Sequence, residues 1–109
     1  MSSSTPTRLD RPLLLSSAIA ATGQAFLRHG KDWSYQLSVA GTGAVAATAT
    51  VEVSNNDGAD WLTFGTLSAS GTTRASDLIT GVAAWGMHRA KIDTISGTGA
   101  VATVTGAGA

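Results

Sequence analysis

The sequence predicts an all-β fold, an antiparallel sandwich of roughly eight strands, from three observations. Apolar and polar residues alternate along several segments, which is the period of a half-buried strand. Turn-forming residues recur at short spacing between those segments. No long run of helix-forming residues with capping residues at its ends is present, so a helical fold is disfavoured.

The chain of 109 residues has room for one domain, preceded by a short arm. Residues Met1–Pro12 are polar, contain both prolines and show no periodicity, so we expect an extended N-terminal arm. The sandwich domain is expected at residues 13–109. The apolar run and the A-x-A pattern at residues 18–20 are those of a secretory signal, but Asp10 and Pro12 interrupt it and we expect none.

The first predicted strands follow the arm. PLLLSSAIAATG predicts a strand with a small-residue end, and QAFLRHG predicts a short second strand around Phe26. The next segment alternates clearly, with one face formed by Trp33, Tyr35, Leu37 and Val39. The longest strand is predicted at Ala44–Ser54, where one face consists of Val45, Ala47, Ala49, Val51 and Val53.

Turn residues separate the remaining strands. The run Asn55-Asn56-Asp57-Gly58 predicts a hairpin loop before Trp61 begins a new strand. ASGTTRASD is interpreted as a polar connection and LITGVAAWG as a short strand with a loop. The last two strands are predicted at Met87–Ile95, with His88, Ala90 and Ile92 on one face, and at Ala100–Thr105.

Composition excludes several function classes. Seven basic residues balance seven acidic ones and only 13% of the chain is charged, so we expect no nucleic-acid or membrane partner. The absence of cysteine excludes a disulfide framework, a thiolate nucleophile and a Cys-based metal site. Small residues are abundant and aromatics are 6%, so each strand contributes a shallow core and the domain would gain stability from association.

The hexapeptide GTGAVA occurs twice, at Gly41–Ala46 and at Gly97–Ala102, and each copy fits a relaxed dinucleotide-binding fingerprint. Such a fingerprint requires a strand before the glycine turn and a helix after it. Both copies are instead followed by alternating Ala, Val and Thr, which favour strands. We therefore predict two hairpin turns that bind no nucleotide.

No catalytic pattern is present, and we expect a non-enzymatic protein without a cofactor or metal. His29 and His88 are far apart in sequence and lack a metal-ligand spacing; His88, on an apolar face, is expected to be partly buried and hydrogen-bonded. No G-x-S-x-G nucleophile elbow occurs. The oxygen-rich segment Asn55–Asp60 could bind calcium, but turn formation explains the same residues.

Three tryptophans in a protein with few aromatics raise the alternative of a glycan-binding module. Trp61 beside Asp60 and the pair Asn55-Asn56 is the grouping most like that of a lectin. The competing interpretation, which we favour, is that Trp33 and Trp61 begin strands and Trp85 caps one, each covering an end of a core of Ala and Val.

The order of motifs carries a resemblance. LLLSSAIAATGQA is followed by VAGTGAVAATATVEVSNNDGADWLTF, LSASGTT and AAWGMHRAKIDTISGTGAVATVTG. This order resembles that of small virion structural proteins of tailed bacteriophages, in which a V-E-x-S-N-D-G-x-x-W hairpin and a final W-x-x-x-R-A…I-S-G-T-G-A hairpin recur. It spans Leu13 to Gly106, and the sequence departs from it in one additional Asn at positions 55–56 and in His88.

The resemblance implies a jelly-roll-like capsid cement, or decoration, protein on the outer surface of the head, assembled in the host cytoplasm. The implied partners are the major capsid protein and further copies of the chain, as a dimer or trimer; a tail, neck or glycan-binding module is the alternative. Within the arm, Arg8 and Arg11 offer guanidinium groups for carboxylates and Leu9 offers an apolar contact, so we predict that these residues bind a partner.

Overall fold

A computed structural model describes residues 13–27, 32–82 and 86–108. These residues form six strands and no helix. Three strands are short: β1 (Leu13–Ser17), β2 (Ala21–Thr22) and β3 (Phe26–Leu27). The other three exceed twenty residues: β4 (Asp32–Ser54), β5 (Leu62–Val82) and β6 (Met87–Gly108). The part of the chain described in this way is therefore all-β, as the sequence predicts.

All strand pairs are antiparallel, and the strand order is β1-β6-β4-β5. β4 lies in the centre because it pairs with β5 on one side and with β6 on the other. β2 and β3 pair with the first part of β6, whereas β1 pairs with its last part. Among the described strands, β5 pairs only with β4, so β5 forms one edge of the sheet.

Each long strand bends near its middle. The register of β4 shifts between Ala40 and Ala46, and the facing part of β6 contains Gly97 and Gly99 with positive φ. β5 bends at Thr73, whose φ is 63°. Positive φ turns the backbone out of the extended conformation, and pairing with the same neighbour resumes beyond the bend. The strands therefore fold over together without ending.

The bends divide the sheet into two halves. The front half-sheet consists of β1 and residues 32–40, 74–82 and 101–108; the back half-sheet consists of β2, β3 and residues 44–54, 62–72 and 87–96. Their inner faces pack together: the ring centroids of Tyr35 and Phe64 are 5.5 Å apart, and the Ile79 side chain lies against Gly65. One core therefore fills the space between the halves.

The buried faces agree with the predicted alternation. The odd-numbered apolar residues from Trp33 to Val39 and from Val45 to Val53 are buried, as are His88, Ala90 and Ile92. The loop after Ser54 connects antiparallel strands β4 and β5, which confirms the predicted hairpin there. These are the segments in which alternation is uninterrupted by glycine.

Three predicted boundaries are wrong. Neither GTG copy forms a hairpin turn, since Gly41–Gly43 lies within β4 and Gly97–Gly99 lies within β6. ASGTTRASD is not a connection but the middle of β5. The physical reason is the same at each site: glycine and threonine with positive φ bend a strand that remains paired. The described sheet consequently has six strands where roughly eight were expected, because what look like separate strands are halves of long ones.

Candidate functional site

The predicted partner-binding residues of the arm, Arg8, Leu9 and Arg11, lie outside the described residues, as do His29 and Trp85. The remaining candidates can be placed. No helix in the described ranges is long and apolar enough to cross a membrane.

His88 belongs to a buried cluster between the two half-sheets. Its Nδ1 lies 3.0 Å from the Tyr35 hydroxyl oxygen. The Trp33 ring packs edge-on against the imidazole, with 4.6 Å between centroids. The expected hydrogen bond is present, and His88 is fully buried where partial burial was expected. Because the cluster links β4 in the front half to β6 in the back half, it packs the core together.

The loop between β4 and β5 is held by its own side chains. The Asn56 Oδ1 accepts hydrogen bonds from the Ser54 hydroxyl (2.9 Å) and from the Asp60 amide (3.0 Å), while its Nδ2 donates to the Asp60 carboxylate (2.8 Å). The Asn55 Oδ1 accepts from the Gly86 amide at 2.6 Å. These contacts favour the turn interpretation over calcium binding. Over the described residues, no three His, Cys, Asp or Glu side chains are grouped to hold a metal.

Trp61 immediately precedes β5, and a cation covers its ring. The Arg89 guanidinium carbon is 4.2 Å from the ring centroid, and Arg89 Nε donates to the Glu52 carboxylate at 2.8 Å. A sugar stacking on this face would have to displace the guanidinium from both partners. The arrangement therefore favours the structural interpretation of Trp61 over a glycan platform.

The two GTGAVA copies meet each other. Thr42 in the first copy pairs with Thr98 in the second across β4 and β6, and strand continues on both sides of each copy. The helix that would hold a pyrophosphate is replaced by strand in both places. The copies differ in exposure, since Val45 is 2% exposed and its counterpart Val101 is 42% exposed. Their shared feature is the glycine bend.

The outward side of the front half-sheet, here called the front face, is almost free of charge. Along β4 and β6 it presents small polar and apolar side chains, among them Ser34, Gln36, Ser38, Val101, Thr103 and Thr105. On β5 it presents Leu78 and Val82, which are 58% and 74% exposed. A shallow depression of about 390 Å³ opens on this face. Such chemistry is typical of a protein-contact surface, since little desolvation opposes burial.

Two charged side chains are placed on the front face, at opposite ends. Asp32 begins β4 and pairs with Val82, whereas Arg74 lies beside the bend of β5 and pairs with Ala40. Both are exposed. The middle of the face, around Gln36, carries neither charge.

The outward side of the back half-sheet, the back face, has a different character. Arg89 pairs with Glu52 as described, and Lys91 Nζ lies 3.9 Å from an Asp93 oxygen. Asp93 also accepts a hydrogen bond of 2.6 Å from the Thr50 hydroxyl. These charges are matched within the chain, which is typical of a solvated face.

Asp77 joins the two half-sheets at the edge formed by β5. It pairs with buried Leu37, so it lies on the inner side of an edge strand. Its carboxylate accepts hydrogen bonds from the Ser68 amide (2.8 Å) in the back half and from the Leu78 amide (2.9 Å) in the front half. An inward-facing acid that occupies edge amides limits uncontrolled strand pairing there.

The comparisons with known proteins give one distant likeness in fold. No protein-family model matches the chain, and no curated protein is significantly similar to it. Among solved structures, the chain is similar to the SPBc2 prophage-derived protein YomS, with a TM-score of 0.53 over 88% of each chain and 10% sequence identity. At this identity the likeness concerns the fold alone.

The front face is the functional candidate that the sequence reasoning missed. The alternation did place Ser34, Gln36 and Ser38 opposite the buried residues. Dividing β5 and β6 at their bends hid that Leu78 and Val101 continue the same surface. The signal in the sequence would have been that uncharged outward residues of β5 and β6 lie on both sides of the outward residues of β4.

Proposed function

We propose that this chain is a non-enzymatic capsid cement, or decoration, protein of a tailed bacteriophage, which binds the outer surface of the head and clamps neighbouring capsomers. The observation that carries the proposal is the order of sequence motifs from Leu13 to Gly106, which resembles that of small phage virion proteins. The likeness in fold to a prophage-derived protein supports a phage origin. The proposal includes the more specific fold class of a jelly-roll-like sandwich.

The shape and surface of the described domain suit this role. It measures 42 × 40 × 20 Å, so it is a thin slab that can lie flat on a larger surface. One broad side is nearly uncharged and the other carries internally paired charges. The nearly uncharged side is suited to burial against another protein, either a capsid subunit or a further copy of the chain, and the side with paired charges is suited to water.

Clamping would act through many weak contacts. Each copy would contact the major capsid protein and further copies of itself, and the lattice would multiply modest affinities by effective concentration. No covalent chemistry is required of any residue. The thin cores of the strands, rich in Ala and Val, would be stabilised by the same association.

The test uses phage that carry this gene and phage from which it has been deleted. Purified protein added to the deleted heads should sediment with them saturably, at a fixed number of copies per head. A difference map between the two kinds of virion should show the added density on the outer head surface. Density confined to the tail or neck would replace this proposal with a tail-associated role, and absence of binding to any part of the virion would refute it.

The glycan alternative has its own readout. Titration with a panel of sugars should leave the tryptophan fluorescence unchanged, because Arg89 already covers a face of Trp61. Saturable quenching that is lost in Trp61→Ala would favour a glycan-binding module.

A further inference from the structure

We infer that the front face binds the front face of a second copy of this chain, about a two-fold axis that crosses the strands at the level of Gln36. This goes beyond the proposed function by naming the surface, and it rests on that function only for the expectation that copies associate. The described residues supply three arguments: the central row, the charges at the ends and the area.

The central row is self-complementary. Gln36 pairs with Leu78 on one side and with Thr105 on the other, so these three form a row across the face. Gln36 is the midpoint of residues 32–40 and Leu78 is the midpoint of residues 74–82. A two-fold axis along this row places each strand over its own copy, reversed in direction. The exposed Leu78 is then covered by the second copy's Leu78.

The charges at the ends are complementary under the same axis. The two-fold rotation brings the end of the face beside the bend, at Arg74, over the opposite end of the second copy's face. Arg74 of each copy then faces the end of the other copy at which Asp32 and Val82 are paired. The axis therefore places Arg74 of each copy over Val82 of the other, one strand away from Asp32, and so brings two Arg74–Asp32 pairs within side-chain reach. The charges of the back face already pair within the chain, so they do not favour contact between the back faces of two copies.

The area suits a reversible dimer. Three strands of eight or nine residues and the five-residue β1, spaced about 4.8 Å apart with a rise of about 3.3 Å per residue, present a face of roughly 500 Å². Two copies would bury roughly 1,000 Å², which is the size of a small, reversible interface. The competing occupant of this face is a foreign protein, such as the major capsid protein. If that alternative is right, the purified chain should be a monomer in solution.

The first test is a charge exchange read by sedimentation equilibrium from micromolar to submillimolar concentration. The wild type should dimerise reversibly. Arg74→Glu and Asp32→Lys should each increase the dissociation constant of the dimer by about tenfold or more. The double variant should regain most of the wild-type affinity. Lys91→Glu on the back face is the control and should leave the constant unchanged. Circular dichroism and thermal melting establish that each variant is folded.

The second test uses the absence of cysteine in the chain. Gln36→Cys lies on the proposed axis and should form a covalent dimer under mild oxidation, whereas Thr66→Cys, exposed on the back half-sheet, should not. A wild type that remains monomeric throughout the concentration range overturns the inference. A dimer that is indifferent to the charge exchange, or that cross-links through Thr66→Cys instead, overturns the choice of face.

The two proposals fail separately. A monomer that still decorates heads refutes the dimer and leaves the cement function intact. A dimer with these properties that binds no part of the virion refutes the cement function and leaves the interface intact.

Discussion

At the scale of single residues, the hydrogen bond between Tyr35 and His88 is the polar contact inside the core whose removal should be most visible. Tyr35→Phe deletes the hydroxyl group and leaves the buried imidazole Nδ1 without that partner. We expect a loss of about 1–3 kcal/mol in the free energy of unfolding, because burying a polar atom without its partner costs its desolvation. Urea denaturation at one low protein concentration measures this.

A double-mutant cycle provides the control for that prediction. His88→Leu removes the other partner, and the double variant should be less destabilised than the sum of the single changes, because both polar groups are then gone. Strict additivity of the two changes would contradict a direct contact.

Asp77 offers a second prediction at this scale. Asp77→Ala removes the acceptor for the Ser68 and Leu78 amides and so unlinks the half-sheets at the β5 edge. We expect a loss of about 1–3 kcal/mol in the free energy of unfolding, since hydrogen bonds to a charged group exceed neutral ones. Thr66→Ala, exposed on the same strand, should change stability by at most about 0.5 kcal/mol. Equal effects would show that the Asp77 contacts contribute nothing.

At the scale of elements, the bends determine how the long strands fold over, and the glycines of the second GTG motif test this. Gly97 has φ of 123°, and a Cβ there would lie 2.9 Å from the Ala44 carbonyl oxygen. Gly99 has φ of 62° with no atom near its Cβ position. Gly97→Ala should cost at least about 2 kcal/mol, whereas Gly99→Ala should cost about 1 kcal/mol.

The order of these two costs is the decisive result. Thermal melting and urea denaturation of both variants measure it, and each variant serves as the control for the other within one tripeptide. A larger cost at Gly99 than at Gly97 would mean that backbone crowding at the bend is not what these glycines relieve.

The same elements show what could be predicted from sequence. Alternation gave the buried faces of β4 and of the first part of β6 because period two is a local property of a strand. The loop at Asn55–Gly58 was predictable because its side chains bond within the loop. GTG and GTTR were not distinguishable from turns: positive φ serves a hairpin and a bent strand equally, and only the pairing partner on each side decides between them.

The candidate site was less predictable than the fold, and for a related reason. The sequence drew attention to residues with chemistry, such as His88 and Trp61, and the structure places both in packing roles. The front face is formed from Ser, Thr and Gln on three strands far apart in sequence. Its distinguishing property, the lack of charge over an area, belongs to the assembled sheet and to no single segment.

At the scale of the whole molecule, the arm and the domain should have separate tasks. The first described strand begins at Leu13, so deletion of Ser2–Arg11 removes no described strand residue. The melting temperature of the truncated protein should therefore stay close to that of the full chain. Attachment to heads, or to a neighbouring copy, should weaken by about tenfold or more, because the guanidinium groups of Arg8 and Arg11 and the apolar contact of Leu9 are lost.

Co-sedimentation with heads lacking this protein measures the attachment, and sedimentation equilibrium measures self-association. A full-length variant with Arg8→Ser and Arg11→Ser keeps the length of the arm and removes its two guanidinium groups. It therefore distinguishes the effect of these charges from the effect of the arm's length. If contact with carboxylates drives docking, this variant should bind as weakly as the truncated chain, with a reduced dependence on salt. Equal decoration by the truncated and full-length proteins would show that the arm has no part in docking, and the domain faces alone would then have to hold the protein on the head.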